Sequence, residues 1–157
     1  MANSITEFET YLHNSRIPIR IACETKSGWP VVISLWYIYI DGLIYCASKE
    51  SSRIVSYLKS SPRCAYEIAS DLPPYCGLRG QAIARIDSDL GPEILDQLID
   101  RYLGVKDNKL GIFLRKNQTE ESAIILKPVN VFSWNFTQRM DTVSSDMIDL
   151  MEKTCPI

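Results

Sequence analysis

The chain of 157 residues has little of what metal and redox sites are made from. It contains one histidine, His13, and no two of its five cysteines have Cys-x-x-Cys spacing. A zinc site is therefore not expected, because zinc ligands come from clusters of cysteine and histidine. Cys23, Cys46 and Cys64 stand in apolar, strand-like surroundings. We expect them to be buried thiols that pack as small apolar side chains.

The sequence also lacks a basic surplus, a long apolar run and a secretion signal. The formal net charge is −2, which argues against general nucleic-acid binding. The longest apolar run, from Trp29 to Ile40, is shorter than the roughly 18 residues of a membrane helix. The N-terminus has no basic segment followed by an apolar core, so a cytoplasmic protein without membrane contact is expected.

The composition is that of one globular domain. Hydrophobic residues make up 46% and charged residues 23%, and no repeat or linker is visible. We therefore expect a single domain over residues 1–157, with the tail from about 140 to 157 peripheral.

Hydrophobic patterning predicts about six strands and two or three helices, with a weak helical pattern after Gln138. Trp29–Ile40 is apolar on both faces, so it must be covered on both sides. A small β-barrel with helices packed outside it, and a homodimer, would provide that cover. Asp41-Gly42 predicts a tight hairpin turn. The predicted strands are Arg16–Thr25, Val31–Ile40, Leu43–Ala47, Cys64–Ala69, Leu78–Asp87 and Ser122–Lys127; the helices are Ile5–His13, Ser51–Lys59 and one from Gly91 to about Gly104, and residues 105–121 are expected to be mainly loop.

Hydroxyl groups and a cation are crowded at the start of the second predicted helix. Ser51 is a good N-cap, and Ser48 lies at the end of the preceding strand. Arg53 falls in the first turn, where a cation opposes the helix dipole. A phosphate bound at the helix N-terminus would resolve that conflict through charge-assisted hydrogen bonds. The alternative is a capped helix with a solvated arginine.

The order of several motifs resembles the pyridoxamine 5'-phosphate oxidase-like, FMN-binding split-barrel family. The resemblance extends from about Ile5 to Arg139 and depends on the order and spacing of all its motifs together. The matching segments are Arg20–Cys23, Gly28, Ser34–Tyr37, Asp41-Gly42, Ser48, Ser52-Arg53, Pro62–Cys64, Tyr75–Ile86 and Trp134–Phe136.

The resemblance implies a six-stranded antiparallel split barrel that dimerises and binds FMN between its subunits. It implies that Ser48, Ser52 and Arg53 hold the phosphate, while the family's next basic residue is replaced by Ile54. The expected cofactor-binding residues are Ser34, Leu35, Trp36 and Tyr37 along the flavin ring, Ser48, Ser51, Ser52 and Arg53 at the phosphate, and Arg79 and Trp134 near the flavin edge. Barrel core remains the alternative for Trp36 and Tyr37, a solvated or dimer-contact role for Arg79, and core or a dimer contact for Trp134.

Three functions follow from this resemblance. The first is an FMN-dependent oxidoreductase that acts on a small substrate or a nicotinamide, with the redox chemistry supplied by the cofactor. The second is a reductase with a deazaflavin coenzyme, and the third is a non-catalytic flavin-binding or sensor dimer. Pyridoxamine-phosphate oxidation itself is not expected, because the C-terminal sequence lacks the family's basic stretch. The sequence identifies no catalytic residue.

Overall fold

Seven strands and four α-helices form the part of the chain that the computed structural model describes, residues 5–104 and 108–139. Two short 3-10 helices, Gln118–Glu120 and Thr137–Arg139, complete it. The helices are α1 (Ile5–Asn14), α2 (Arg53–Ser60), α3 (Gly91–Leu103) and α4 (Lys109–Lys116); the strands are β1 (Ile19–Glu24), β2 (Pro30–Leu35), β3 (Ile38–Ile40), β4 (Leu43–Lys49), β5 (Arg63–Ala69), β6 (Cys76–Asp87) and β7 (Glu121–Asn135).

The strands form one antiparallel sheet that is curled into a split barrel. Their order is β2-β1-β5-β6-β7-β4-β3, so β2 and β3 lie at opposite edges. Only Trp36 and Tyr37 separate these two strands in the sequence, and a step from Leu35 to Ile38 spans about 10 Å at most. The two edges must therefore approach each other, although they do not pair. This confirms the antiparallel split barrel expected from the sequence.

The predicted strand Val31–Ile40 is divided in two, which is why the sheet has seven strands rather than six. The side chain of Trp36 stacks on Tyr102 of α3, with ring centroids 5.0 Å apart. The next side chain, Tyr37, turns into the protein and donates hydrogen bonds to two carbonyl groups near the end of α1. Because these contacts hold both side chains, the backbone at Trp36 and Tyr37 does not continue the strand, and β2 and β3 are separate.

Two apolar clusters cover the sheet on both faces, as the sequence predicts. The barrel interior is filled mainly by strand residues and closed by α1 and α2. Each large side chain buried in this way contributes about 1.5–3 kcal/mol. Cys23, Cys46 and Cys64 belong to the interior, which confirms their expected burial. On the outer face, α3 packs Ile94 and Leu98 against Ala123 and Ile125 of β7.

Gly80 lets β6 and β7 approach more closely than any other residue would permit. A Cβ atom added at Gly80 would lie 2.1 Å from the Asn130 carbonyl oxygen and 2.7 Å from the Tyr66 hydroxyl. The ladder shifts register between Gln81 and Ala82, next to this contact. The Asn130 side chain follows the shift, because it accepts a hydrogen bond from the Gln81 backbone and donates one to the Gln81 side chain. The glycine within the predicted strand thus marks a close approach beside a bulge.

Helix α4 lies in a stretch that the sequence patterns predict to be mainly loop. Asn108 is its N-cap, and the Asn108 side chain accepts a hydrogen bond from the Leu110 backbone N–H at 2.9 Å. The sequence signals that indicate this helix are the asparagine cap and the basic residues Arg115 and Lys116 in the last turn. At the end of the described chain, β7 runs without interruption from Glu121 to Asn135.

Among the described residues, no helix has the length and apolar character needed to cross a membrane. The cytoplasmic location remains a prediction from the sequence. The single domain also remains a prediction, and the peripheral tail proposed for residues 140–157 lies outside the described residues.

Candidate functional site

A cavity of about 510 Å³ opens between β2, β4 and the start of β7 on one side and α3 and α4 on the other. This volume falls in the range of about 300–1,000 Å³ typical of small-molecule sites. Four of the residues predicted to bind cofactor line it, namely Ser34, Leu35, Trp36 and Ser48. The remaining lining residues are Pro18, Ala47, Lys49, Leu95, Leu98, Leu110, Leu114 and Glu121.

The cavity walls are mainly apolar, and their polar groups are few. The leucines of α3 and α4 form one wall, and Leu35 and Trp36 face it from the end of β2. Ser34, Ser48, Lys49 and Glu121 supply the polar lining. Such a surface suits a flat ligand that has an apolar body and polar edges.

The serine-rich turn between β4 and α2 adjoins this cavity through Ser48. The Ser48 hydroxyl donates a hydrogen bond to the Ser52 hydroxyl at 2.9 Å. The N-cap of α2 is Ser52, so the prediction of Ser51 as N-cap is wrong by one residue. The Ser52 side chain makes no capping hydrogen bond, because its hydroxyl is oriented toward Ser48 rather than toward the helix.

The start of α2 therefore presents unpaired donors. The first backbone N–H groups of a helix have no partner within the helix, and here no side chain caps them. Arg53 is exposed and forms no hydrogen bond or ion pair with the described residues. The hydroxyl pair, the helix N-terminus and Arg53 together can receive an anion. Ile54 is only 2% exposed and packs in the core, so the second basic position of the family is filled by a core residue.

Glu50 anchors the turn that carries this anion-binding arrangement. Its carboxylate accepts hydrogen bonds from Lys59, Ser122 and Ser88, the last at 3.0 Å. These bonds, led by the one from Lys59, lower the pKa of Glu50 to about 2. Lys59 also offsets the negative charge, so Glu50 does not leave an unpaired anion beside the proposed phosphate position. The sequence patterns did not single out Glu50.

The side chain of Tyr37 does not line the cavity, which favours the core alternative for this residue. It is fully buried, and its hydroxyl donates to the carbonyl oxygens of Leu12 and Ser15 at 3.0 and 3.3 Å. Its backbone N–H donates to the Tyr102 hydroxyl at 3.3 Å. Burial raises the pKa of Tyr37 well above its ordinary value. Trp36, in contrast, both packs on Tyr102 and lines the cavity.

Arg79 and Trp134 lie on a different surface. The Arg79 guanidinium is 5.4 Å from the centre of the Trp134 ring, in cation–π contact. Arg79 lines a groove of about 580 Å³ on the outer face of the sheet, together with Val32 and Phe132. No residue of this groove lines the cavity at Ser48. Within one subunit, Arg79 and Trp134 are thus separated from the other predicted site residues.

The described residues contain no group of three histidine, cysteine, aspartate or glutamate side chains placed to hold a metal ion.

Comparisons with known proteins find relatives in structure only. No protein-family model and no curated protein matches this chain. A conserved hypothetical protein from Mycobacterium tuberculosis has a TM-score of 0.74 at 19% identity, covering 92% of this chain and 91% of that one. An F420 reductase has a TM-score of 0.68 at 16% identity, covering 84% and 98%. A putative pyridoxamine 5'-phosphate oxidase from Listeria innocua has a TM-score of 0.63 at 12% identity, covering 82% and 95%.

These similarities agree with the family that the sequence motifs resemble. The structural neighbours are pyridoxamine 5'-phosphate oxidase-like split-barrel proteins, and this chain has their fold. At identities below 20%, the likeness establishes the fold and leaves the activity to be argued from the site.

Proposed function

We propose that this chain is a flavoprotein that binds FMN in the cavity and serves as an oxidoreductase for a small substrate. The observation that carries the proposal is that one cavity joins Ser34–Trp36 to Ser48, which is hydrogen-bonded to the helix N-cap Ser52. A ligand with a flat ring at one end and a phosphate at the other fits both parts. FMN has that shape, and its ring would supply hydride transfer.

The residues present fit each part of FMN. The hydroxyls of Ser48 and Ser52 and the guanidinium of Arg53 would hold the phosphate at the uncapped start of α2. Trp36 and Leu35 would contact one side of the ring, and the leucines of α3 and α4 would line the space on its other side, where the small substrate would bind. Ser51 is exposed and outside the N-cap, so we assign it no phosphate contact.

We further propose that two copies of the chain associate through the outer face of the sheet. Val32, Ile83, Val129 and Phe132 are large apolar side chains that are at least 42% exposed there. They line two grooves that share Ala22, Ala65 and Gln81, so the apolar surface is continuous. Continuous exposed apolar patches mark interaction sites. In such a homodimer, Arg79 and Trp134 would lie at the interface, where they could contact a cofactor bound by the partner.

The second candidate is a reductase that uses a deazaflavin coenzyme. The observation in its favour is Ile54, which leaves the phosphate end with one cation where the resembled family often has two. An F420 reductase is also among the structural neighbours. The third candidate, a flavin-binding dimer without catalysis, requires the same cavity and differs only in the absence of turnover.

Titration of FMN into the ligand-free protein tests the phosphate assignment. Arg53→Ala removes a charge-assisted hydrogen bond worth about 1.5–3 kcal/mol, so the dissociation constant should rise roughly 10- to 100-fold. Riboflavin, which has no phosphate, should bind the wild-type protein and the variant equally well.

Arg85→Ala is the matched control, because Arg85 is an exposed arginine on β6 that lines neither the cavity nor the two grooves of the outer face. It should leave FMN affinity unchanged. An Arg53→Ala protein that keeps its fold and its full affinity for FMN would show that the phosphate does not bind at this turn.

A further inference from the structure

Glu121 is an ionisable group in the cavity that neither the sequence motifs nor the cofactor assignment uses. It is the first residue of β7, its side chain is half-buried, and it lines the cavity with Ser34 and Trp36. Its carboxylate forms no hydrogen bond or ion pair with the described residues. A half-buried carboxyl without a partner in an apolar cavity is a functional candidate.

The charged groups around Glu121 leave it unpaired. Lys49 lies directly across the β4–β7 ladder, but its ammonium group donates to the Glu120 carboxylate at 3.1 Å. The side chains that α3 and α4 contribute to the cavity are all leucines and carry no charge. Burial raises the pKa of Glu121 and the charge of Glu120 adds to that rise, while the charge of Lys49 opposes it. Glu121 therefore keeps its proton to higher pH than an exposed glutamate does.

We propose that Glu121 is the proton donor of this cavity, for reduction of an uncharged, largely apolar substrate with a polarised double bond. This rests on the proposed flavin-dependent function. The reduction of a conjugated enone shows how the bonds, electrons and protons of this reaction balance. A hydride from reduced flavin forms a C–H bond at the β-carbon, and the π electrons of the double bond form a second C–H bond at the α-carbon with the proton of Glu121. The substrate gains two electrons and two hydrogens, the flavin is oxidised, and the carboxylate regains a proton from water.

The substrate class follows from the lining of the cavity. Leu95, Leu98, Leu110 and Leu114 offer only carbon to a ligand. Lys49 is the one cation among the described residues that line the cavity, and Glu120 already neutralises it. A charged substrate would lose hydration here without gaining a partner, which is unfavourable.

The first test needs no cofactor. Carbon-13 NMR of labelled glutamate carboxyl groups follows each carboxyl as the pH changes. We expect one resonance that titrates above the ordinary glutamate range, is missing in Glu121→Gln and is retained in Glu93→Gln. Glu93 is the matched control, because it is an exposed glutamate on α3 that does not line the cavity. If every glutamate titrates in the ordinary range, the proposal is overturned whether or not the protein binds flavin.

The second test measures proton donation. Protein loaded with FMN is reduced chemically without oxygen, and its reoxidation by cyclohex-2-enone is followed across pH. General acid catalysis typically contributes about 10²–10⁴-fold, so Glu121→Gln should be slower by about 100-fold or more. The wild-type rate should fall as pH rises through the Glu121 pKa, and the Glu121→Gln rate should not.

Glu93→Gln should keep both the rate and the pH profile of the wild type, and Glu121→Asp should keep part of the rate. Equal rates and profiles for Glu121→Gln and the wild type would overturn the proposal while the flavin function stands. A protein that takes up no flavin would instead refute the proposed function, and this inference with it.

Discussion

At the scale of single residues, Glu50 couples the turn between β4 and α2 to the rest of the barrel. Its carboxylate holds Lys59 of α2, Ser122 of β7 and Ser88 before α3. The backbone N–H of Glu50 also donates to the Glu120 carbonyl at 2.8 Å. This one side chain therefore fixes the turn on which the proposed phosphate contacts depend.

The lowered pKa of Glu50 predicts a contribution to stability that depends on pH. The pKa lies at about 2 in the folded protein, against an ordinary value of 4.5. The contribution is therefore complete above about pH 4.5 and is lost as the pH falls toward 2. Glu50→Gln should lower the melting temperature at pH 7, and the difference from the wild type should shrink between pH 4.5 and 2. Thermal denaturation across this pH range measures it.

Glu24→Gln provides the control, because Glu24 is exposed on β1 and forms no ion pair with the described residues. Its melting temperature should follow the wild type at each pH. A Glu50→Gln protein as stable as the wild type at pH 7 would contradict the anchoring role.

The sequence could identify some residues of the site and not others, for a physical reason. Ser48, Ser52 and Arg53 lie close together in the chain, so a local pattern reveals them. Glu50 and Glu121 acquire their properties from distant contacts: the Ser122 hydroxyl that bonds Glu50 is 72 residues away. No local pattern contains such partners. Alternation likewise could not decide between the core and the flavin ring for Tyr37, because it does not show which side chain of a divided strand turns inward.

At the scale of elements, α4 forms part of the cavity wall and is held to α3 by one arginine. Arg115 donates to Asp96 at 2.6 Å and to Asp100 at 2.8 Å. Gly111 lies against Ile99, where an added Cβ atom would be 3.0 Å from the isoleucine side chain. These contacts bring Leu110 and Leu114 into the cavity lining.

Loss of the Arg115 contacts should loosen α4 without unfolding the barrel. Partly exposed ion pairs contribute about 0–1 kcal/mol each, so Arg115→Met should speed amide exchange in α4 roughly two- to fivefold. Amides of β4–β7 should exchange at the wild-type rate. Hydrogen–deuterium exchange measures both regions in one experiment.

The comparison variant is Lys116→Met, since Lys116 is exposed in the same turn and forms no ion pair with the described residues. It should leave exchange in α4 unchanged. Equal exchange in both variants would mean that packing alone holds α4.

Most elements could be predicted from sequence periodicity, and the exceptions have identifiable causes. The helix α3 carries a clear apolar stripe, a proline in its first turn and Gly104 at its end. The division of β2 from β3 depends on the contact of Trp36 with Tyr102, which lies 66 residues away in the sequence. Helix α4 is only eight residues long and contains Gly111, so its pattern is too short to outweigh the polar residues around it.

At the scale of the whole molecule, the outer face of the sheet is the surface that we expect to form the homodimer. Phe132 is 60% exposed on this apolar surface. Phe132→Asp removes the largest of its exposed apolar side chains and adds a charge that would lose hydration in the dimer, so the variant should be a monomer. Sedimentation velocity over a range of protein concentrations distinguishes the two states.

Phe113→Asp is the matched control, because Phe113 is 61% exposed but lies on α4, away from the outer face. It should sediment like the wild type. A wild-type protein that is monomeric at every concentration, or a Phe132→Asp protein that remains dimeric, would contradict this interface.

The central claim is that the cavity between Trp36 and the Ser48–Ser52 pair holds FMN. The most direct test is the visible absorption of freshly purified protein, with mass analysis of the small molecule that heat releases from it. We predict a yellow protein that releases FMN in a stoichiometric amount. Release of a deazaflavin coenzyme would keep the cavity as the site and replace the cofactor. A colourless protein that binds neither compound on addition would contradict the claim and leave the serine-rich turn as a helix start with a solvated arginine.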